Sequence, residues 1–236
     1  MVRLSERLQM VADMVSVKNS VADIGCDHGY TSLYLAQSVG VRHVIAMDIN
    51  RGPLERAREH ILQAQMEDRI ETRQSDGAKE LNPGEVEGMV ISGMGGALMV
   101  KILSESRLVA ASLKELVIQP QSELPLIRRY LHQAGFVIAQ ERMAVDADKF
   151  YVAIRAVPGQ EEYGTDQLAQ IYYRYGKCLI EDKNQILKIF LLRELQRLSG
   201  ILERFQREPE CGEKAAGRMQ ELTLEKEQIY KVLDML

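Results

Sequence analysis

The sequence is poor in cysteine and aromatic residues, and it has no tryptophan. Its three cysteines, Cys26, Cys178 and Cys211, lie far apart and form no CxxC pair. They therefore indicate neither a structural zinc site nor a disulfide framework, and a reducing cytoplasm is the expected compartment. No apolar run approaches the roughly 18 unbroken residues of a membrane span, and the first residues lack the apolar block of a secretory signal. We therefore expect a cytoplasmic protein that has no membrane partner and binds no metal.

A strong charge of either sign is also missing. The net charge is −4 over 236 residues, which is not typical of a nucleic-acid-binding protein. Any such role must rest on a local basic surface. With 46% hydrophobic and 27% charged residues, the composition is that of an ordinary globular protein with a sizeable core.

Short apolar runs alternate with helical patterns over the first two thirds of the chain. The predicted strands are residues 21–24, 43–48, 69–74, 88–92, 113–119, 135–145 and 150–157, and the predicted helices are 4–15, 31–39, 51–65, 97–104 and 123–134. Strands that alternate with helices favour a mostly parallel sheet covered on both faces, here with a hairpin at its end. The expected fold class is therefore α/β and Rossmann-like.

Pro158-Gly159 ends this pattern, and the remaining chain is predicted to be helical over 168–207 and 213–236. Leucines and other apolar residues recur every three or four positions in both segments, with Lys226 as the one polar interruption. The breaker stretch 208–212 lies between them. This pattern predicts an antiparallel coiled-coil hairpin. We therefore expect two domains, 1–158 and 159–236.

The loop after the first predicted strand contains Asp23, Gly25, Asp27 and Gly29. A dinucleotide-binding loop needs G-x-G-x-x-G, but Asp27 stands at the second glycine position and Tyr30 at the third, so a carboxylate would face two phosphates. S-adenosylmethionine has no phosphate and carries a positive sulfonium. Methyltransferases that use it have an acidic residue followed by G-x-G-x-G, and only the middle glycine is replaced here. The loop therefore favours S-adenosylmethionine over NAD or FAD.

Two further acidic residues stand at the ends of predicted strands, Asp48 as the last residue of the second and Asp76 just after the third. Asp48 lies 23 positions past Gly25, where a carboxylate accepts hydrogen bonds from both ribose hydroxyls of an adenosine. Asp76-Gly77 is suited to contact the adenine amino group. The alternatives are that Asp48 caps the next helix and that Asp76-Gly77 is a plain turn.

Glycines follow the fourth predicted strand, in Gly93-Met94-Gly95-Gly96. They allow a flat substrate to approach the backbone closely and leave N–H groups available. The alternative is a glycine-rich helix start that packs on the sheet. The fifth strand ends in Gln119-Pro120-Gln121, whose amides are expected at the same edge.

The chain resembles the bacterial tRNA (adenine-22-N1)-methyltransferases over the whole α/β part and in the helical hairpin. The matching segments are Leu4-Ser5-Glu6-Arg7-Leu8, Ala22-Asp23-Ile24-Gly25-Cys26-Asp27-His28-Gly29-Tyr30, Gly93-Met94-Gly95-Gly96-Ala97-Leu98, Leu116-Val117-Ile118-Gln119-Pro120 and Lys149-Phe150-Tyr151. One departure is Asp48, where family members can carry glutamate. The resemblance implies a class I methyltransferase domain that uses S-adenosylmethionine and no metal to methylate N1 of an adenine in the D-arm region of tRNA.

The site residues follow from the motifs and from this resemblance. We expect Asp23, Gly25, Asp48, Ile49, Asp76, Gly77, Gly93 and Met94 to bind the methyl donor. We expect Arg7, His28, Tyr30, Gly95, Gly96, Gln119 and Tyr151 to bind the substrate. Asp27 is the candidate catalytic residue, because its carboxylate can accept a hydrogen bond from adenine N6 and offset the positive charge of methyladenine. Alternatively, Asp27 caps the following helix or binds the amino group of the donor, and His28 and Tyr30 have local structural roles.

The first predicted hairpin helix is rich in basic residues and the second in acidic residues. The basic residues are Arg174, Lys177, Lys183, Lys188, Arg193, Arg197, Arg204 and Arg207. They are candidates for contacts with tRNA phosphates. Alternatively, the two helices pair their charges with each other or form a dimer contact. Two other functions compete with this interpretation. One is a methyltransferase that acts on another RNA, a small molecule or a protein, and the other is a non-catalytic nucleotide-binding module.

Overall fold

The computed structural model describes residues 2–207 and 213–236. The chain forms two compact units, Met1–Tyr163 and Gly164–Leu236, so the division comes later than the predicted boundary between 158 and 159. The physical reason lies in residues 159–163. The N–H of Gly159 donates to the carbonyl of Gly135, and His132 contacts both Glu161, at 3.7 Å, and the Tyr163 ring, in a T-shaped arrangement. These contacts hold the segment on the first unit.

The first unit is built on a seven-stranded sheet with the order β3-β2-β1-β4-β5-β7-β6. Its strands are β1 (Ser20–Ile24), β2 (His43–Asp48), β3 (Ile70–Gln74), β4 (Gly88–Met94), β5 (Glu115–Pro120), β6 (Phe136–Asp146) and β7 (Lys149–Pro158). Strands β1 to β5 pair in parallel, whereas β7 pairs antiparallel with both β5 and β6. The predicted parallel sheet with a terminal hairpin is confirmed.

Six α-helices of the described chain accompany this sheet, one before β1 and the others between strands, although none lies between β3 and β4. They are α1 (Glu6–Ala12), α2 (Tyr30–Tyr34), α3 (Arg51–Gln63), α4 (Gly96–Glu105), α5 (Arg107–Ser112) and α6 (Leu124–Gln133). Helix α2 continues as a π-helical turn over Leu35–Val39, where one regular helix was predicted. The prediction also missed α5, because its six residues are too short to show a helical period.

The core lies on both faces of the sheet, as the apolar runs require. Strand β5 is buried along its whole length, including Glu115 at its start. The Glu115 carboxylate accepts hydrogen bonds from the N–H and hydroxyl of Ser16 and, at 2.6 Å, from Nε of Arg155. These bonds satisfy a buried charge and fasten the segment that follows α1 to β5 and β7.

The second unit contains α7 (Gln167–Tyr175), α8 (Lys177–Glu181), α9 (Gln185–Arg207) and α10 (Glu213–Met235). The single helix predicted over 168–207 was wrong. It is interrupted at Gly176, where φ is 94°, and at Lys183, where φ is 50°, because a left-handed residue ends a right-handed helix.

Helices α9 and α10 contact each other. The buried residues Leu187, Leu191 and Leu198 of α9, and Leu222 and Ile229 of α10, belong to the predicted apolar seams. The coiled-coil geometry stays a prediction, and the breaker stretch 208–212 lies outside the described residues. None of the described helices has the length and apolarity to cross a membrane.

Candidate active site

A cavity of about 520 Å³ lies where β1, β2 and β4 end at their carboxyl ends. Parallel α/β sheets bind ligands at this edge, next to the point where the strand order reverses. The predicted site residues that line the cavity are Arg7, Asp23, Gly25, Asp27, His28, Tyr30, Asp48, Ile49, Asp76, Gly77, Gly93 and Met94. In the part of the chain that the structure describes, the predicted residues Gly95, Gly96, Gln119 and Tyr151 do not line the cavity.

The loop after β1 requires glycine at position 25. The N–H groups of Gly25 and Cys26 both donate to the carbonyl of Met47, at 2.8 and 2.9 Å, and Gly25 has a φ of 75°. A Cβ atom at Gly25 would lie 2.3 Å from Cε of Met94. The left-handed backbone is what favours glycine here, because the end of the flexible Met94 side chain can move away from a Cβ atom.

Asp48 ties the loop after β1 to the loop after β2. Its Oδ2 accepts the N–H of Asp27 at 3.2 Å, and its Oδ1 accepts the N–H of Asn50 at 2.8 Å. Asn50 is the N-cap residue of α3, so Asp48 also contacts the start of this helix through a backbone N–H. Each carboxylate oxygen has a second lone pair, so both bonds are compatible with further bonds to ribose hydroxyls.

Asp23 is a buried residue of the cavity lining, and the Ser32 hydroxyl donates to its Oδ2 at 2.6 Å. Burial raises the pKa of Asp23 from 3.8 to about 6, and the nearby charge of Asp48 acts in the same direction, while the Ser32 hydrogen bond opposes them. Burial likewise raises the pKa of the Cys26 thiol, which the surrounding carboxylates reinforce. Asp23 therefore changes its charge closer to neutral pH than an ordinary aspartate.

Asp27 stands at the mouth of the cavity. Its side chain is 67% exposed, and its Oδ1 lies 3.5 Å from Nε2 of His28. Its φ of 50° places a non-glycine residue in the left-handed region, a conformation that Asp tolerates better than most residues. Within the described chain no side chain caps α2, whose N-cap is Gly29, so the capping alternative for Asp27 is wrong.

Tyr30 lies at the same mouth and stacks on His60, with ring centroids 4.7 Å apart and an interplanar angle of 21°. His28 completes the group, since its ring centroid is 6.1 Å from that of Tyr30. Sequence reasoning missed His60, because it lies in the middle of α3 and belongs to no motif.

Asp76 is engaged by its own turn. Its carboxylate pairs with Lys79, which also pairs with Glu105 at 3.0 Å, and the Lys79 hydrogen bond lowers the pKa of Asp76. Gly77 has a φ of 64°, and a Cβ there would lie 3.0 Å from the Ile102 side chain. Asp76 lines the cavity, but the turn interpretation accounts for the contacts it makes.

Gln119 and Tyr151 act on Arg7. The Nη1 of Arg7 donates to Oε1 of the buried Gln119 at 2.8 Å, and the guanidinium lies over the Tyr151 ring, 5.3 Å from its centroid. A Cβ at Gly93 would lie 3.4 Å from this Nη1. The predicted substrate residues Gln119 and Tyr151 thus hold the side chain of a third predicted residue at the cavity.

The glycines at the start of α4 serve packing. A Cβ at Gly96 would lie 2.7 Å from the carbonyl oxygen of Ser122. The N–H of Gly96 donates to the Ser122 hydroxyl, and the N–H of Ala97 donates to the Glu123 carboxylate at 2.8 Å. The expectation that the Gly96 N–H stays available for a substrate is therefore wrong, and the helix-packing alternative describes this turn.

Further residues line the cavity that were not predicted to bind the donor or the substrate, among them Gln121, whose amide was expected at this edge. They are Leu8, Ile24, Cys26, Thr31, Asn50, Pro53, Ser75, Ser92, Leu98, Ile102 and Gln121. Most of them are immediate neighbours of predicted residues. Their position near a strand end, rather than their residue type, is therefore the feature of the sequence that could have identified them. Over residues 2–207 and 213–236, the structure contains no cluster of three or more potential metal ligands.

The family model described as "Methyltransferase domain" matches residues 4–154. That range spans the cavity and the sheet from β1 into β7. The chain belongs to this methyltransferase-domain family.

Individual proteins are similar over nearly the whole chain. The tRNA (adenine(22)-N(1))-methyltransferase of Bacillus subtilis is 28% identical over 233 residues, 98% of each chain. The crystal structure of the B. subtilis m1A22 tRNA methyltransferase TrmK superposes with a TM-score of 0.85 at 26% identity, covering 99% of this chain and 100% of that one. Streptococcus pneumoniae Sp1610 in complex with S-adenosyl-L-methionine gives a TM-score of 0.84 at 25% identity, covering 98% and 100%.

The raised pKa of Asp23 predicts a specific pH dependence of stability. The folded state binds the proton of Asp23 more tightly than the unfolded state, so the contribution of Asp23 to the free energy of unfolding falls as pH rises from about 4 to about 6 and is level above. For this one group the fall is about 3 kcal/mol. Urea unfolding of the parent and of Asp23→Asn should show that the difference between their free energies of unfolding changes by this amount over that pH range, whereas Asp68→Asn should follow the parent. The exposed Asp68→Asn is the control, and equal slopes for parent and Asp23→Asn would contradict the assignment.

Proposed function

We propose that the protein transfers a methyl group from S-adenosylmethionine to N1 of adenine 22 in tRNA. The observation that carries the proposal is the cavity at the carboxyl ends of the strands, with an acidic lining and an open carboxylate, Asp27, at its mouth. Similarity over nearly full length to the B. subtilis enzyme supports the choice of tRNA and of the adenine position. Such a substrate is consistent with the cytoplasm expected from the cysteine content.

The residues present fit this donor better than a phosphate-bearing cofactor. Asp23, Asp27, Asp48 and Asp76 all line the cavity, and these carboxylates disfavour a diphosphate but tolerate a sulfonium cation. The absence of a side chain at Gly25 keeps the loop backbone packed on Met94 at the cavity wall.

The role of each residue that would hold the donor follows from its position at the strand ends. Asp48 would accept the ribose hydroxyls, since it ends β2 with unused lone pairs. Asp76, Gly77 and Ile49 follow β3 and β2 and suit the adenine end. Asp23, Gly25, Gly93 and Met94 surround the ends of β1 and β4 and suit the methionine end. S-adenosylmethionine, when bound, supplies an electrophilic methyl group.

Adenine N1 needs no general base, because it has a lone pair at neutral pH. The protein must orient the base and stabilise the positive charge that develops on it. Asp27 is suited to both tasks, because its exposed carboxylate can accept a hydrogen bond from N6 and offset the charge of the methylated ring. Tyr30 and His28 offer ring faces beside it, on which an unstacked base can lie.

Arg7 brings a cationic side chain to the cavity lining. Gln119 and Tyr151 fix its guanidinium, which leaves donors that can meet a phosphate of the substrate. Gly95 and Gly96 then contribute by holding α4 rather than by contacting the base.

The function is tested with two unmodified tRNA transcripts that differ only at nucleotide 22, which is adenine in one and guanine in the other. We expect incorporation of one methyl group into the first transcript, located at N1 of adenine 22 by mass spectrometry of the digested product. Methylation of both transcripts, or of neither, would contradict the proposal.

In the same assay Asp27→Asn should lower the single-turnover rate by roughly a hundredfold while tRNA affinity stays nearly unchanged. Asparagine tolerates the left-handed φ of this position, so the variant removes the charge without straining the loop. A rate within threefold of the parent would exclude the electrostatic role. A loss confined to donor binding would instead assign Asp27 to the donor.

Asp48→Ala should weaken binding of S-adenosylhomocysteine by about 1–3 kcal/mol, the usual cost of leaving polar partners unpaired. Isothermal titration calorimetry measures this, with the exposed Asp68→Ala as control. An unchanged affinity would limit Asp48 to holding the two loops together.

We further propose that the first unit binds the donor and that α9 of the second unit contacts tRNA. Lys188, Arg193, Arg197 and Arg204 are exposed on α9. Some basic residues of the unit are paired within it, since Arg197 bonds Glu194 at 2.7 Å and Arg174 bonds Glu225 at 2.6 Å. Such exposed pairs are weak and easily exchanged for phosphates.

Replacing Lys188, Arg193 and Arg204 together with glutamine should therefore weaken tRNA binding and flatten its salt dependence. The log–log slope should fall by about 0.7–0.9 for each phosphate that α9 no longer neutralises. The matched control replaces Lys18, Arg42 and Lys114, at the amino ends of the strands, with glutamine. If the two triple variants weaken tRNA binding equally, the loss reflects the change in net charge and not a contact made by α9.

A further inference from the structure

Helix α3 presents two polar side chains one turn apart, Arg56 and His60, to the segment Asp27–Tyr30. Both bond directly to His28, and His60 also stacks on Tyr30. Neither residue belongs to the motifs that identify the donor site, and neither lines the described cavity.

His60 makes two hydrogen bonds and one ring stack with the segment. Its Nδ1 lies 2.9 Å from the backbone carbonyl oxygen of His28. A carbonyl only accepts, so Nδ1 carries the hydrogen. In the neutral ring Nε2 is then an acceptor, and the Tyr30 hydroxyl, 3.3 Å away, donates to it. Together with the ring stack, these bonds fix both the backbone at His28 and the plane of the Tyr30 ring.

Arg56 acts on the other side of His28. Its Nε donates to His28 Nδ1 at 3.2 Å, so the hydrogen of a neutral His28 ring resides on Nε2. That Nε2 faces Oδ1 of Asp27 at 3.5 Å. Arg56 thereby sets the orientation and tautomer of the imidazole that lies next to the Asp27 carboxylate.

The backbone between these side chains rests directly on α3. Gly29 has a φ of 75°, and a Cβ there would lie 2.9 Å from Cβ of Ala57. The segment therefore packs closely on α3 at Ala57, and Arg56 and His60 flank Ala57 along the helix.

We propose that Arg56 and His60 are positioning residues for the acceptor base, which hold the Asp27 carboxylate and the Tyr30 ring in the geometry that methyl transfer requires. The inference rests on the proposed function. The contacts themselves are solvent-accessible hydrogen bonds, which contribute little to global stability. Their consequence is therefore expected in the rate rather than in the folding equilibrium.

The test uses full-length protein and the adenine-22 transcript. His60→Phe keeps a ring that stacks on Tyr30 but removes both hydrogen bonds, and His60→Asn keeps a donor that can reach the His28 carbonyl but removes the stack. Arg56→Met removes the donor to His28, and Arg56→Lys restores a cationic donor. We expect single-turnover rates to fall roughly tenfold to a hundredfold in His60→Phe and Arg56→Met, since misplacements near 1 Å cost that much. Arg56→Lys should recover part of the loss.

Two readouts separate positioning from a structural role. Thermal midpoint and S-adenosylhomocysteine affinity should stay within experimental error of the parent in all four variants. Arg51→Met is the matched control, because Arg51 lies on the same helix and bonds only Glu55 in the described contacts. Rates within twofold of the parent, or rate losses that parallel losses of stability and donor binding, would overturn the inference.

Failure of the proposed function is distinguishable from failure of this inference. If the parent does not methylate adenine 22, the proposed function fails, and the contacts are then judged by 15N NMR of the histidine rings. His60 should carry its hydrogen on Nδ1 in the parent, and His28 should carry its hydrogen on Nε2. A His60 ring protonated on Nε2 alone would show that its bond to His28 does not form, and would overturn the inference independently of activity.

Discussion

The Asp48 carboxylate is the interaction on which the site depends. It receives the N–H of Asp27 on one oxygen and that of Asn50 on the other, and so joins the loops that follow two adjacent parallel strands. Because Asp48 is 8% exposed, these charge-assisted bonds are shielded from water and are stronger than surface ones. The same bond restrains Asp27 in its left-handed conformation, with its side chain at the cavity mouth.

Four carboxylates line the cavity, and each has a different environment that limits the repulsion among them. Asp23 has Ser32 and a buried position, Asp48 has backbone N–H groups, and Asp76 has Lys79. Asp27 alone of these four faces mainly solvent and a histidine. Repulsion among the like charges is thus limited by burial, hydrogen bonds and a lysine. Asp27, the exposed carboxylate, is the one that a base entering from solvent can reach.

Sequence reasoning was most successful where chemistry and chain position coincide. Asp23, Gly25, Asp27 and Asp48 were identified because strand ends of a parallel sheet converge on one edge, and the structure puts all four at the cavity. It was less successful at Gly96, whose N–H is used by Ser122, because a glycine-rich turn looks the same whether it packs or binds. His60 and the Arg7 contacts with Gln119 and Tyr151 join residues far apart in sequence, and no local pattern encodes them.

The sequence by itself determined the order and type of the elements, since hydrophobic periodicity and glycine positions are local properties of the chain. It also determined the acidic character of the loops and, through this, the class of donor. Only the tertiary structure decided which polar groups meet: that Asp48 bonds Asp27, that Arg56 and His60 contact His28, and that the first unit extends to Tyr163. Hydrogen bonds are directional and short, so their partners are set by how helices and strands pack, which the pattern of a single chain does not specify.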